Sequence, residues 1–244
     1  MMKILAHRGS SGTHPENTMP AFEEAYRAGA DGIELDVQMT KDGALVIVHD
    51  AKVDRTSNGT GWVKDFTLDE IKELDFGGWF SEEFSGLRIP TLEEVLDWIS
   101  GTSLELNIEL KNGAVRHAGL EDGVVRLVRQ YRMEERVILS SFNHYSLVDV
   151  HRNYSDVETA ILFMEGLYEP WHYARSIGAN GLHCYLPVAV PEFLQGAQQN
   201  GMPVRPFTVN KAAHIRRFKD AGCAGIFTDF PERAVKIRDE SSVG

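Results

Sequence analysis

Four places along the chain set histidine, carboxylate and basic side chains together: His7-Arg8-Gly9, Glu34-Leu35-Asp36, His49-Asp50 and Glu109-Leu110-Lys111. Residues two apart on a strand point to the same face, so Glu34 with Asp36, and Glu109 with Lys111, would look into a common volume. Three carboxylates confined there repel one another and need a positive partner. Oxygen donors with open positions suit one hard divalent cation, Mg²⁺ or Ca²⁺, with Mn²⁺ as an alternative. The competing reading is structural, with Glu34 and Asp36 as inner-layer residues hydrogen-bonded to Lys or Arg. Purely structural barrel layers are instead dominated by Val, Ile and Leu.

His7 and His49 could flank a bound ester as general acid and general base, because an imidazole titrates near working pH. Either one alone is as readily a packed or capping residue. Arg8 and Lys111 add fixed positive charge, and a guanidinium suits a bidentate grip on phosphate oxygens. A plain salt bridge to Glu109 accounts equally well for Lys111. No Ser or Cys nucleophile elbow accompanies these motifs, so a phosphate ester fits better than a carboxylic ester or amide.

The elements that must position these residues are legible as recurring β-rich runs at 4–7, 32–37, 104–110, 137–141, 159–163, 181–185, 204–209 and 225–228, separated by helical stretches. Eight such runs alternating with helices predict an α/β fold, a (β/α)8 TIM-type barrel, whose working residues sit at the C-terminal strand ends. A further run at 44–49 follows Asp42-Gly43, a hairpin signal, and reads as an antiparallel return arm from the second strand. A two-residue Asp42-Gly43 loop would place His49 opposite Asp36. Thr67 with Glu70 and Thr91 with Glu94 fit capping boxes. Pro20 suits the first turn of a helix at 20–28, and Asn210 reads as the cap of a helix through Ala221. Residues 51–90, rich in Gly, Ser, Asp and aromatics, read as a small, partly helical insertion after the second strand. It is expected to cover the barrel mouth without a core of its own, within a single domain spanning 1–244. The tail from Asp239 to Gly244 is expected to fray.

With 244 residues, 43% hydrophobic and 25% charged, the chain has the makeup of a soluble globular protein. A formal net charge of −11 disfavours a nucleic-acid partner, since the phosphate backbone would be repelled. No window approaches the roughly 20 apolar residues of a membrane span, and the N-terminal apolar stretch is too short for a signal peptide, so stable membrane insertion is not expected and the cytoplasm is the expected location. Cys184 and Cys223 lack metal or redox spacing and read as reduced buried thiols. Oligomeric state is not legible.

The motifs together resemble the glycerophosphodiester phosphodiesterase family, of the bacterial cytoplasmic type. The resemblance lies in His7-Arg8-Gly9, Pro15-Glu16-Asn17-Thr18, Glu34-Leu35-Asp36-Val37, Val48-His49-Asp50, Arg55-Thr56, Glu109-Leu110-Lys111, Thr208-Val209-Asn210 and Gly225-Ile226-Phe227-Thr228-Asp229-Phe230-Pro231. These run in the family's order from residue 7 to 231. The resemblance implies a distorted barrel and hydrolysis of a small-molecule glycerophosphodiester to glycerol 3-phosphate and an alcohol. It implies Glu34, Asp36 and Glu109 as holders of the divalent cation, His7 and His49 as acid and base, and Arg8 and Lys111 on the phosphate. Phe207 stands where many relatives carry Trp, keeping an apolar substrate wall but losing an indole donor. His183 and Glu165 match no signature position and read as pocket lining at most, with a packing or surface role favoured for each. The expected chemistry is attack by the neighbouring glycerol hydroxyl on phosphorus, giving a cyclic phosphate that water opens. Two rival readings are a lysophospholipase D-like lipid phosphodiesterase, with an apolar groove in the insertion, and a non-catalytic barrel binding a phosphorylated ligand.

Overall fold

A computed structural model describes residues 1–240 of the chain. The β-rich runs become seven parallel strands: β1 (Lys3–His7), β2 (Gly32–Met39), β4 (Glu105–Leu110), β5 (Val137–Ser141), β6 (Glu158–Phe163), β7 (Gly181–Cys184) and β8 (Gly225–Thr228). They lie in the order β7-β6-β5-β4-β2-β1-β8, and β3 (Leu45–Ile47) pairs antiparallel with β2.

The expected strand at 204–209 is not a regular strand. Pro203 and Pro206 have no amide hydrogens to give to a ladder. The segment still lies between β7 and β8, bridged in parallel to Leu182 and Tyr185. Val209 donates to the Phe227 carbonyl and Phe227 to the Pro206 carbonyl, which carries the hydrogen bonding round to β8. The architecture is therefore an irregular TIM-type barrel.

Period-two alternation decides what faces the barrel axis. Ile33, Leu35 and Val37 of β2 and Leu106, Ile108 and Leu110 of β4 are buried in one apolar cluster with the helices α1 (Met19–Arg27), α3 (Leu92–Ser100) and α4 (Leu120–Gln130). Their neighbours Glu34, Asp36, Asn107 and Glu109 consequently point inward, and all four are buried. A second cluster packs α6 (Pro170–Ser176), α7 (Pro191–Gln199), α8 (Ala212–Asp220) and α9 (Pro231–Asp239) against β6, β7 and β8.

Both capping boxes form, with Thr67 and Glu70 starting α2 (Leu68–Lys72) and Thr91 and Glu94 starting α3; each such cap stabilises by about 1 kcal/mol. Asn210 does not cap α8, whose first turn begins beyond Lys211. The hairpin register also differs from the expected one. Val37 pairs with Ile47 and Met39 with Leu45, so the loop spans 41–43 and Val48, not His49, lies level with Asp36. Gly43 at φ +86° makes that three-residue turn, while the Asp42 carboxylate accepts from Thr40 at 2.6 Å and from the Leu68 amide at 3.1 Å.

The insertion has a small apolar core after all, contrary to expectation. Val53, Val63, Ile71, Phe76 and Ile89 are buried together against Val46 and Val48, with Phe66, Leu68 and Leu74 packed round them. Helix α9 includes Asp239 and is closed by Glu240, whose carboxylate accepts from Arg216 at 2.9 Å, and residues 241–244 of the expected frayed tail lie outside the described residues. Among the described residues no helix is long and apolar enough to cross a membrane.

Candidate active site

Strands β2 and β4 run in register, with Asp36 level with Glu109, so three inward carboxylates meet at their C-terminal ends. One oxygen from each of Glu34, Asp36 and Glu109 lies within 4.8 Å of the others. Burial and the neighbouring carboxylates push Glu34 up to about 8, so the cluster keeps a proton when no cation is present. Burial raises Glu109 likewise, against the pull of Lys111. Burial would raise Asp36 too, but Lys111, Arg8, His49 and the Asn17 amide outweigh it and hold that carboxyl below the usual range. Asp36 Oδ1 is nevertheless buried without a hydrogen-bond partner. An orphaned carboxylate oxygen beside two further carboxylates is the donor chemistry of a hard divalent cation, and the residues present fit such an ion.

The two basic residues hold opposite sides of this cluster. Lys111 donates to Glu109 at 2.7 Å and lies 3.5 Å from Asp36 Oδ1. Arg8 Nη1 donates to Glu16 at 2.8 Å, and its Nε lies 3.4 Å from Asp36 Oδ2. The β1–α1 turn that presents Arg8 is tight. Arg8 itself sits at φ +56° with its amide donating to Glu34 at 2.8 Å. Gly9 follows at φ +80°, and a Cβ there would meet the Ala21 backbone at 2.7 Å. Asn17, also at positive φ, donates its amide to Asp36 at 2.8 Å.

Each histidine has its own carboxylate. His7 Nδ1 lies 2.7 Å from Asp229, whose other oxygen accepts from Asn210 at 2.6 Å and which Ser11 also contacts. His49 Nδ1 lies 2.7 Å from Asp50. The Val48 amide still donates to the Asp36 carbonyl at 3.0 Å, so His49 reaches the site from just beyond the ladder, not through the expected pairing with Asp36. The two imidazoles sit in unlike fields. Burial lowers the affinity of His7 for a proton, but Asp229 and Glu34 raise it further, for a net rise. Burial lowers His49, and Lys111 and Arg8 oppose the attraction of Asp36, for a net fall.

His7, Arg8, Glu34, His49, Glu109 and Phe207 line one cavity of ≈ 390 Å³, closed on the far side by Phe142, Leu162, Met164, Tyr185 and Phe227. Lys111 and Asn143 line an adjoining cavity of ≈ 200 Å³ that shares His49, Glu109 and Phe142 with the first. His183 is not pocket lining. It is fully buried beneath the cavity, its ring 4.9 Å from that of Phe227 and 3.4 Å from Arg205, and burial keeps it neutral. Glu165 only turns back to the Met164 amide. Cys184 and Cys223 are free and buried, and burial pushes their thiols up to about 12 and about 11.

Asp229, Asp50, Glu16 and Asn17 were quoted above only as parts of motifs, without roles, and Asn210 only in a motif and as a helix cap. A signal existed for Asp229. It follows the last strand, and in a closed barrel β8 adjoins β1, which ends in His7.

The chain is similar to known proteins along its length. The model of the glycerophosphoryl diester phosphodiesterase family matches residues 7–233. A glycerophosphodiester phosphodiesterase of Caldanaerobacter subterraneus is 48% identical over 96% of both chains. One of Bacillus altitudinis is 46% identical over 98% of this chain and 99% of that protein. Among solved structures, an Oleispira antarctica phosphodiesterase in complex with the product sn-glycerol-3-phosphate superposes with a TM-score of 0.90 at 29% identity, covering 98% of this chain and 97% of that one. The family model matches nearly the whole chain and close relatives align over nearly full length, and the chain belongs to the glycerophosphoryl diester phosphodiesterase family.

Proposed function

We propose that the protein hydrolyses glycerophosphodiesters to glycerol 3-phosphate and an alcohol, in the cytoplasm, with one divalent cation held by Glu34, Asp36 and Glu109. The observation that carries this reading is the meeting of three buried carboxylates, two carboxylate-anchored histidines and an arginine at one cavity. Mg²⁺ or Ca²⁺ suits the all-oxygen donor set, with Mn²⁺ as the alternative. Such an ion supplies Lewis-acid stabilisation of charge on phosphate oxygens.

The chain's own residues would do the rest. Arg8, with Lys111 behind the carboxylates, sets a positive field for the phosphate. Asp229 and Asp50 are both held in the ionised state, so each accepts from Nδ1 of its histidine and leaves Nε2 as the working nitrogen. One imidazole removes the proton from the glycerol hydroxyl beside the ester, and that hydroxyl attacks phosphorus at high effective molarity. The other protonates the departing alcohol, and water then opens the cyclic phosphate with the roles reversed. Phe207 and its apolar neighbours receive the organic arms of the diester.

A panel of glycerophosphodiesters assayed with Mg²⁺, Mn²⁺, Ca²⁺ and EDTA, with products identified by phosphorus NMR, tests the reading. Metal-dependent release of glycerol 3-phosphate is expected, and its absence with every ion overturns it in favour of a non-catalytic phosphate binder. An analogue lacking the neighbouring hydroxyl should not turn over; unchanged turnover removes the cyclic step.

A second reading, action on a longer lipid diester, is favoured by Phe142, Met164 and Tyr185, which stay 46%, 43% and 39% exposed at the cavity mouth. The groove anticipated in the insertion is not its basis, since Phe66 and Phe76 pack into the insertion's own core. Rates on glycerophosphocholine and on lysophosphatidylcholine separate the two readings.

A further inference from the structure

Arg55 belongs to the insertion, lines neither cavity, and takes no part in the chemistry described above. Its guanidinium nevertheless holds two carboxylates at once. Nε donates to Asp50 Oδ2 at 2.7 Å, while Nη1 and Nη2 donate to the two oxygens of Glu16, each at 2.8 Å. Each carboxylate hands the constraint to a residue of the site. The other oxygen of Asp50 receives Nδ1 of His49 at 2.7 Å, and Glu16 also receives Nη1 of Arg8 at 2.8 Å. An unbroken series of charge-assisted hydrogen bonds therefore runs from Arg8 through Glu16, Arg55 and Asp50 to His49.

We propose that Arg55 is a positioning residue, whose guanidinium fixes Asp50 and Glu16 together and so aligns His49 and Arg8 on the same phosphodiester. This rests on the acid–base role proposed for His49. The physical reason lies in side-chain freedom. Asp50 is about a third exposed and, anchored only by the imidazole, could turn towards solvent. With its second oxygen engaged it keeps one orientation, and the imidazole keeps one tautomer and one ring plane. Arg55 can do this because a guanidinium offers donors along two edges of a rigid plane, whereas an ammonium is a single point of charge. Its sequence position explains why the insertion has to pack firmly: the small core round Val53 and Val63 fixes the backbone from which Arg55 reaches back to the barrel.

A surface ion pair of the same exposure without such a role should matter little. Arg129 and Asp156 provide one, at 2.7 Å, on the outside of the barrel. Arg55→Ala, Arg55→Lys, Arg129→Ala and His49→Ala should be compared for kcat, KM and melting temperature on glycerophosphocholine with saturating divalent cation. Arg55→Ala should lower kcat about 10- to 100-fold, as loss of an orienting partner does, with a melting temperature close to that of the unaltered protein. Arg55→Lys should recover little of it, and added guanidinium at non-denaturing concentration should restore Arg55→Ala saturably without restoring His49→Ala. Arg129→Ala should leave kcat unchanged. Full activity of Arg55→Lys, or an unchanged kcat per folded molecule of Arg55→Ala beside an inactive His49→Ala, overturns the positioning role alone. Full activity of His49→Ala overturns the acid–base reading beneath it.

Discussion

The two halves of the barrel mouth are built from the same kind of strand and carry opposite chemistry. The ends of β1, β2 and β4, with the β3 return arm, present His7, Arg8, Glu34, Asp36, His49, Glu109 and Lys111; the acids and cations are tied to one another by hydrogen bonds or ion pairs, and each histidine is tied to a carboxylate of its own. The ends of β5, β6 and β7, with the 204–209 segment, present Phe142, Leu162, Met164, Tyr185 and Phe207; Phe142 meets Phe207 edge to face, Tyr185 packs tilted against Phe207, and Phe142, Met164 and Tyr185 stay partly open to solvent. The difference teaches how one cavity handles a diester. A phosphorus centre needs charges whose positions are fixed in advance, because electrostatic stabilisation is useful only when no reorganisation is required. The arms of the substrate need a surface that excludes water and tolerates variation in shape.

If that division holds, damage to the charged half should fall on kcat and damage to the apolar half on KM. The sharpest break is Glu34→Gln. It should lower kcat about a thousandfold or more, as loss of metal-ion and electrostatic catalysis does, while raising the melting temperature of the metal-free protein above pH 8. The sign follows from the raised value of about 8. The native chain holds a proton on Glu34 that the unfolded chain has lost above about pH 4.3, so metal-free stability should fall as pH rises from about 5 through 8 and then level off. Thermal melts across that range, with and without a divalent cation, read this directly; a flat metal-free profile would mean that the carboxylates do not crowd one another. The same linkage predicts proton release when the cation binds at pH 7, measurable in weakly buffered solution, since a ligating carboxylate must be ionised.

Replacing either histidine by Ala should lower kcat about 10²- to 10⁴-fold, the usual worth of a general acid or base. Asp229→Asn should cost less, about 10- to 100-fold in kcat, because it disturbs the orientation and tautomer of His7 without removing the ring. In the apolar half, Phe207→Ala should raise KM about threefold to tenfold, the scale of one aromatic contact, with kcat close to that of the unaltered protein. A kcat loss at Phe207 as large as that at Asp229 would erase the division between the halves.

Much of this was readable from residue types alone, because strand periodicity is local. Two residues on one strand, such as Glu34 and Asp36 or Glu109 and Lys111, share a face whatever the rest of the chain does. The turn signal at Asp42-Gly43 was likewise local, yet its loop length was not. A loop of three residues places Val48 level with Asp36, one residue off the expected register, and His49 reaches the cavity from just beyond the ladder. Pro203 and Pro206 were visible in the sequence, but only the barrel shows that the chain they interrupt still closes it.

The sequence by itself determined the inventory and facing of the reactive groups: three acids, two imidazoles and two cations at strand ends, since side-chain direction along a strand follows from backbone geometry. Tertiary structure decided who holds whom. Asp229 meets His7 across 222 residues, Arg55 meets Glu16 across 39, and Asn210 turns from the expected helix cap to that same Asp229. Such pairings depend on barrel closure and on the packing of the insertion, which are properties of the whole chain and are not encoded at any one position.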